Sequence, residues 1–141
     1  AVAVFALAAG CTSSDRPVPV LASDADAGNR LAGSEWRPVD IAGIEFATDS
    51  ELFVRFGGDG TVSGDGGCNR FAGGYKLAAD KIEIGPLAAT MMACPEPVMD
   101  QEARFLEMLA QAKKFARNGT DLAMLDDAGN RLGRLVQTDA D

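Results

Sequence analysis

The chain has 141 residues, 47% hydrophobic and 24% charged, a balance that fits one globular domain and argues against a disordered chain. Thirteen basic and 21 acidic residues leave a formal charge of −8, which repels phosphate and argues against nucleic acid and against electrostatic docking on anionic lipid. Histidine is absent, removing the commonest general base and the commonest transition-metal ligand together.

In chain order, the first stretch is AVAVFALAAGC, uncharged up to Cys11. An apolar run of this length suits the h-region of a signal peptide and is too short to span a bilayer. Residues 1–10 are therefore expected to be the end of a signal peptide whose basic n-region lies upstream. Leu7-Ala8-Ala9-Gly10-Cys11 is similar to a bacterial lipobox, although its leucine stands one place early. On this reading Cys11 carries lipid and anchors the protein to the cell envelope, most simply the periplasmic side of the outer membrane. Residues 11–33, rich in Ser, Asp, Pro, Ala and Gly without apolar periodicity, are expected to form a flexible tether. The folded domain is expected over 34–137.

Within it, period-two patterns accumulate. Strands are expected over 35–41, with Pro38 holding an edge or irregular position, and over 52–56, turned back by Gly57-Gly58-Asp59-Gly60 into 61–63. A second hairpin, 75–77 with 81–84, turns at Ala79-Asp80. Residues 87–92 read as strand or extended loop. The period then changes: 99–115 carries Met99, Phe105, Leu106, Leu109 and Ala112 at helical spacing. Pro97 suits its first turn, Asp100 and Glu102 its N-terminal end, and Lys113, Lys114 and Arg117 its C-terminal end. Asn118-Gly119 signals a hairpin between 114–117 and 121–125, and Asp127-Ala128-Gly129-Asn130 turns into a last strand, 131–136. The expected fold is α+β: a curved, half-barrel-like antiparallel sheet of about seven or eight short strands, packed on one helix.

The residues Gly67-Cys68-Asn69-Arg70-Phe71, Gly73, Tyr75, Gly85-Pro86-Leu87, Thr90, Met92-Ala93-Cys94 and Glu102 together resemble the META domain, the family of the heat-shock protein HslJ. Trp36 and the turn at 57–60 are also similar to its opening. The resemblance covers about 34–136. Met91 departs from it, since an arginine commonly stands between the threonine and the methionine. The resemblance implies a small β-rich domain with one helix in the bacterial envelope, with no established catalytic activity and no active site to transfer.

Each candidate chemistry has a plainer rival. Cys68 and Cys94 could form a disulfide, a metal pair or reactive thiols; export places them where a pair oxidises by default, so a disulfide is expected. Met91, Met92, Cys94 and Met99 suggest a soft Cu(I) site, against which stands the use of methionine to fill gaps in small cores. Asp49, Asp59 and Asp65 resemble calcium-loop residues, yet the segment lacks the closing glutamate and Asp-Gly is first a turn former. Ser63 and Thr90 have no histidine to activate them, and Asp65 with Glu83 has no spacing that favours hydrolysis over solvated charge. Asn69 is expected to bond the backbone from its Gly-rich turn, and Arg70 to pair with Glu102. The reading is a monomeric, non-catalytic envelope lipoprotein without cofactor or metal, with a binding or stabilising role in the envelope or in stress. The alternative is a carrier or enzyme holding a small apolar ligand in the sheet's concave face.

Overall fold

A computed structural model describes residues 31–46 and 51–138. Cys11, the signal segment, residues 11–30 of the tether and Asp49 lie outside them. Alternation of side chains builds nine strands: β1 (Ser34–Ile41), β2 (Ile44–Glu45), β3 (Phe53–Phe56), β4 (Thr61–Asp65), β5 (Arg70–Ala78), β6 (Lys81–Ala89), β7 (Lys114–Asn118), β8 (Asp121–Leu125) and β9 (Arg131–Gln137). Among the described residues one helix, α1 (Glu96–Gln111), joins β6 to β7. The strand beyond the seven or eight expected is β2, whose two residues are too short to leave a period.

All pairings are antiparallel, in the order β2-β1-β3-β4-β5-β6-β7-β8-β9, and β9 returns to pair with β1. Between β6 and β7 the ladder shrinks to one pair, Lys81 with Lys114, so the curved sheet is not closed into a barrel. Strand β1 has neighbours on both sides, a position from which proline is ordinarily excluded. Pro38 is tolerated because β3 pairs only with 34–36 and β2 only with 40–41, leaving it between them. The ladder to β9 is also irregular there.

The concave face is filled by the core. Trp36, Phe56, Val54 and Val62 from the sheet are fully buried, and Phe105 and Leu109 of α1 close over them with no exposed surface. Leu31, before β1, is fully buried as well. The Trp36 indole N–H donates to Ser34 Oγ at 2.6 Å, and the Arg117 guanidinium lies 5.0 Å from the ring centre. A ring of Phe71 meets Phe105 edge-on at 5.8 Å, which ties β5 to the helix.

The helix is shorter than the apolar spacing suggests. It starts at Glu96 with Pro97 in the first turn, and stops at Gln111, where Ala112 turns extended at φ −64° and ψ 130°. Phe115 and Ala116 continue the helical spacing by coincidence. Phe115 belongs to β7, with its N–H donating to the Asp80 carbonyl at 3.0 Å. Lys113, Lys114 and Arg117 therefore lie beyond the helix and no basic residue stands in its last turn. No helix among the described residues is long and apolar enough to cross a membrane.

Candidate functional site

The loop between β4 and β5 is where the sequence spends its glycines. Asp65 Oδ1 accepts from the Gly67 N–H at 2.7 Å, and Gly67 takes a φ of +107°, a conformation that favours glycine. This turn aims successive N–H groups at the helix. Those of Cys68 and Asn69 donate to Glu102 Oε2 at 3.1 and 2.5 Å, and Asn69 Nδ2 donates to Glu102 Oε1 at 2.8 Å. Gly66 must lack a side chain, since a Cβ there would stand 2.5 Å from Glu102 Cγ. Glu102 is 5% exposed, and these three donors make its burial tolerable.

Asn69 uses every hydrogen-bonding position it has. Besides Glu102, Nδ2 donates to the Met92 carbonyl at 3.2 Å. Its Oδ1 accepts from the Met92 N–H at 2.6 Å and the Thr90 hydroxyl at 2.9 Å. Thr90 Oγ1 in turn accepts from the Arg70 N–H at 3.1 Å. Cys68 and Cys94 are joined in a disulfide with Cα atoms 6.1 Å apart. One asparagine and one disulfide thus fasten the 90–94 loop to the β4–β5 turn, and Glu102 fastens both to α1.

Two expectations are corrected here. Arg70 does not pair with Glu102: strand alternation turns its side chain out to solvent, and the carboxylate is taken by the N–H groups of 68 and 69 and the Asn69 amide. Met91 and Met92 do not fill the core: they are 92% and 59% exposed, while Met108 and Met124 are buried. Their loop is held by its backbone and by Cys94, so its position does not depend on burying the methionine side chains.

The other named residues fall into place around this clasp. Phe71 and Tyr75 are buried, and the Tyr75 hydroxyl donates to the Gly57 carbonyl at 2.5 Å. The Gly85–Pro86 peptide is cis, and Gly73 faces it so closely that a Cβ would lie 2.5 Å from the Pro86 oxygen. Leu87 packs half-buried on the core. Asp59 accepts from the Thr61 N–H and hydroxyl, and Asp65 serves the Gly67 turn, so both are turn acceptors. Among the described residues no three His, Cys, Asp or Glu side chains gather as metal ligands. With Cys94 oxidised, the methionines beside it have no thiolate to join. Asp65 and Glu83 line different hollows.

On the outward side of β4, β5 and β6 lies an open depression of about 800 Å³. Ala72, Ala88 and Ala89 and the edge of Phe53 floor it, and Ser63, Asp65, Arg70 and Thr90 rim it. Register explains the shape: Ser63 stands opposite Ala72, and Ala72 opposite Ala88, a row too small to fill the space above the sheet. Thr90 belongs both to the rim and to the clasp, so the depression ends beside the Met91–Met92 loop.

The pattern of a Gly-Cys-Asn turn clasped to a Thr-x-Met-x-Cys loop extends over a recognised unit: a family model of the META domain matches residues 29–139. The chain belongs to the META domain family. Solved structures share the fold of this chain. An NMR structure of a protein from Burkholderia xenovorans is 21% identical with a TM-score of 0.61, covering 94% of this chain and 97% of that one. A crystal structure of a DUF4847 family protein from Bacteroides vulgatus is 14% identical with a TM-score of 0.58, covering 82% and 99%. At these identities the likeness is one of fold. No curated protein matches the chain.

Proposed function

We propose that this META-domain protein is a non-catalytic binding module of the bacterial envelope, anchored by lipid on Cys11 and meeting a protein partner through the depression over β4–β6 and the loop beside it. The observation that carries the reading is the exposure of Met91 and Met92 on a loop whose backbone is fixed at Asn69 and Cys94. A backbone already fixed leaves only the methionine side chains to be ordered on association, and methionine adapts to varied partner surfaces. The absence of histidine, the commonest base for activating a serine or threonine nucleophile, supports a role without catalysis. The lipobox-like run before Cys11 and an oxidised cysteine pair support the envelope as the place of action. A stabilising role under stress fits the same surface.

The test places a photo-crosslinking residue at Ala88, in the depression, and at Ala128, in the remote β8–β9 turn, in cells making the full-length precursor. Adducts of defined mass from position 88 and none from 128 are expected. Equal labelling from both positions, or from neither, refutes the docking surface. Mass spectrometry of the membrane fraction should find lipid on Cys11; an unmodified Cys11 in the soluble periplasm refutes the anchor.

A further inference from the structure

We infer that Met91 and Met92 form a thioether oxidation site that hydroperoxide-class oxidants modify selectively, changing the polarity of the surface without loosening the fold. The chain has five methionines. Met108 and Met124 are 2% and 0% exposed and packed in the core, and Met99 is half-buried at the start of α1. Met91, at 92%, presents its sulfur to solvent almost as an isolated side chain would, and Met92 follows at 59%.

The step is a two-electron transfer. A sulfur lone pair attacks the terminal peroxide oxygen, the O–O bond breaks, and an S–O bond forms. The displaced oxygen takes up a proton and leaves as water or an alcohol. The thioether is oxidised to the sulfoxide and the peroxide reduced. Attack requires access to the sulfur, so Met108 and Met124 react only when the core opens locally.

What sets this pair apart from any exposed methionine is its frame. Met92 gives its N–H and its carbonyl to Asn69, Thr90 gives its hydroxyl to the same side chain, and Cys94 is bonded to Cys68. None of these bonds involves a thioether. Conversion to sulfoxide therefore replaces two apolar groups by polar ones on a backbone that stays where it is. The inference stands on accessibility and on this frame, and does not depend on the docking role proposed above.

The experiment treats the folded full chain, its Cys11 alkylated beforehand, with dilute hydrogen peroxide and follows each methionine by peptide mass spectrometry. Met91 and then Met92 should convert, with Met108 and Met124 slower by about tenfold or more. The urea midpoint of the oxidised protein should be unchanged, and its retention on a phenyl matrix should fall. A Met91→Gln/Met92→Gln variant should reproduce that lower retention without oxidant, and Met91→Leu/Met92→Leu should lose the fast phase while keeping the parent midpoint. Oxidation of Met108 or Met124 at the rate of Met91 overturns the selectivity. A shifted midpoint once Met91 and Met92 alone are oxidised, or unchanged retention, overturns the claim that the change is confined to the surface.

Discussion

Replacing Glu102 with glutamine is the sharpest probe of the clasp, because it alters one atom of a buried group that accepts three hydrogen bonds. The glutamine oxygen can take the position of Oε2 and keep both backbone donors. Its amide nitrogen then faces Asn69 Nδ2, donor against donor. Asn69 cannot turn its amide over to relieve this, since its oxygen already holds the Met92 N–H and the Thr90 hydroxyl. The variant therefore loses one hydrogen bond to a charged acceptor and weakens two more, a cost of about 2–4 kcal/mol. Glu102→Ala, which orphans all three donors, should cost more. Urea unfolding of both variants at pH 7, with Asn69→Ala and the Glu102→Ala/Asn69→Ala double variant, closes the cycle. A coupling of about 1 kcal/mol or more is expected between residues that share partners. A glutamine variant within about 0.5 kcal/mol of the parent, or a cycle that adds up, would refute the clasp as a source of stability.

Leu109 faces the sheet with no exposed surface, and Leu109→Ala should cost about 2–5 kcal/mol in the same assay. Reducing the Cys68–Cys94 bond, which spans 26 residues, should lower stability by about 3.5 kcal/mol while leaving the far-ultraviolet circular dichroism unchanged. Two free thiols at 68 and 94 in protein acid-quenched directly from the cells would remove the basis for this. Tyr75, the one tyrosine, has its pKa raised above 10.0 by burial and then by the negative charge of Asp59. The stability that the fold gives its neutral phenol is fully present below pH 10.0 and is lost as pH rises through the higher folded value. Absorbance at the phenolate band should show a single late titration, and a midpoint at or below 10.0 would contradict the burial argument.

Strands with one face in the core were legible because burial writes itself into the sequence with a period of two, as in Phe53-Val54-Arg55-Phe56 and Thr61-Val62-Ser63. The helix face was legible for the same reason, through Phe105 and Leu109. Its end was not: Ala116 keeps helical spacing from Leu109, as Phe115 does from Ala112, and only the extended backbone at Ala112 distinguishes the next strand from another turn of helix. The clasp was half legible. Asn69 could be read as a backbone partner from its type and its glycine neighbours, but the partner of Glu102 could not. Charge complementarity points to Arg70, whereas the carboxylate is held by main-chain N–H groups, whose directions depend on turn geometry and not on residue type. Met91 and Met92 misled for a related reason. Methionine in an apolar-rich loop reads as core, and their exposure follows from hydrogen bonds made by a different residue.

The narrow junction of β6 with β7 divides the domain into units of unequal persistence. On one side β3 to β6 form a continuous ladder locked by the disulfide; on the other, β7 to β9 hang from β1 through five pairs. At the junction the Ile82 and Phe115 amides donate to Lys113 and Asp80 across a single step. Amide hydrogen exchange should open that step first, at a free energy well below that of the whole fold, with β1 protected until the last. Strand β1 is then the spine that both units share, and α1 bridges them, clasped at Glu102 to the β4–β5 turn and packed at Met108 against Gly133 of β9.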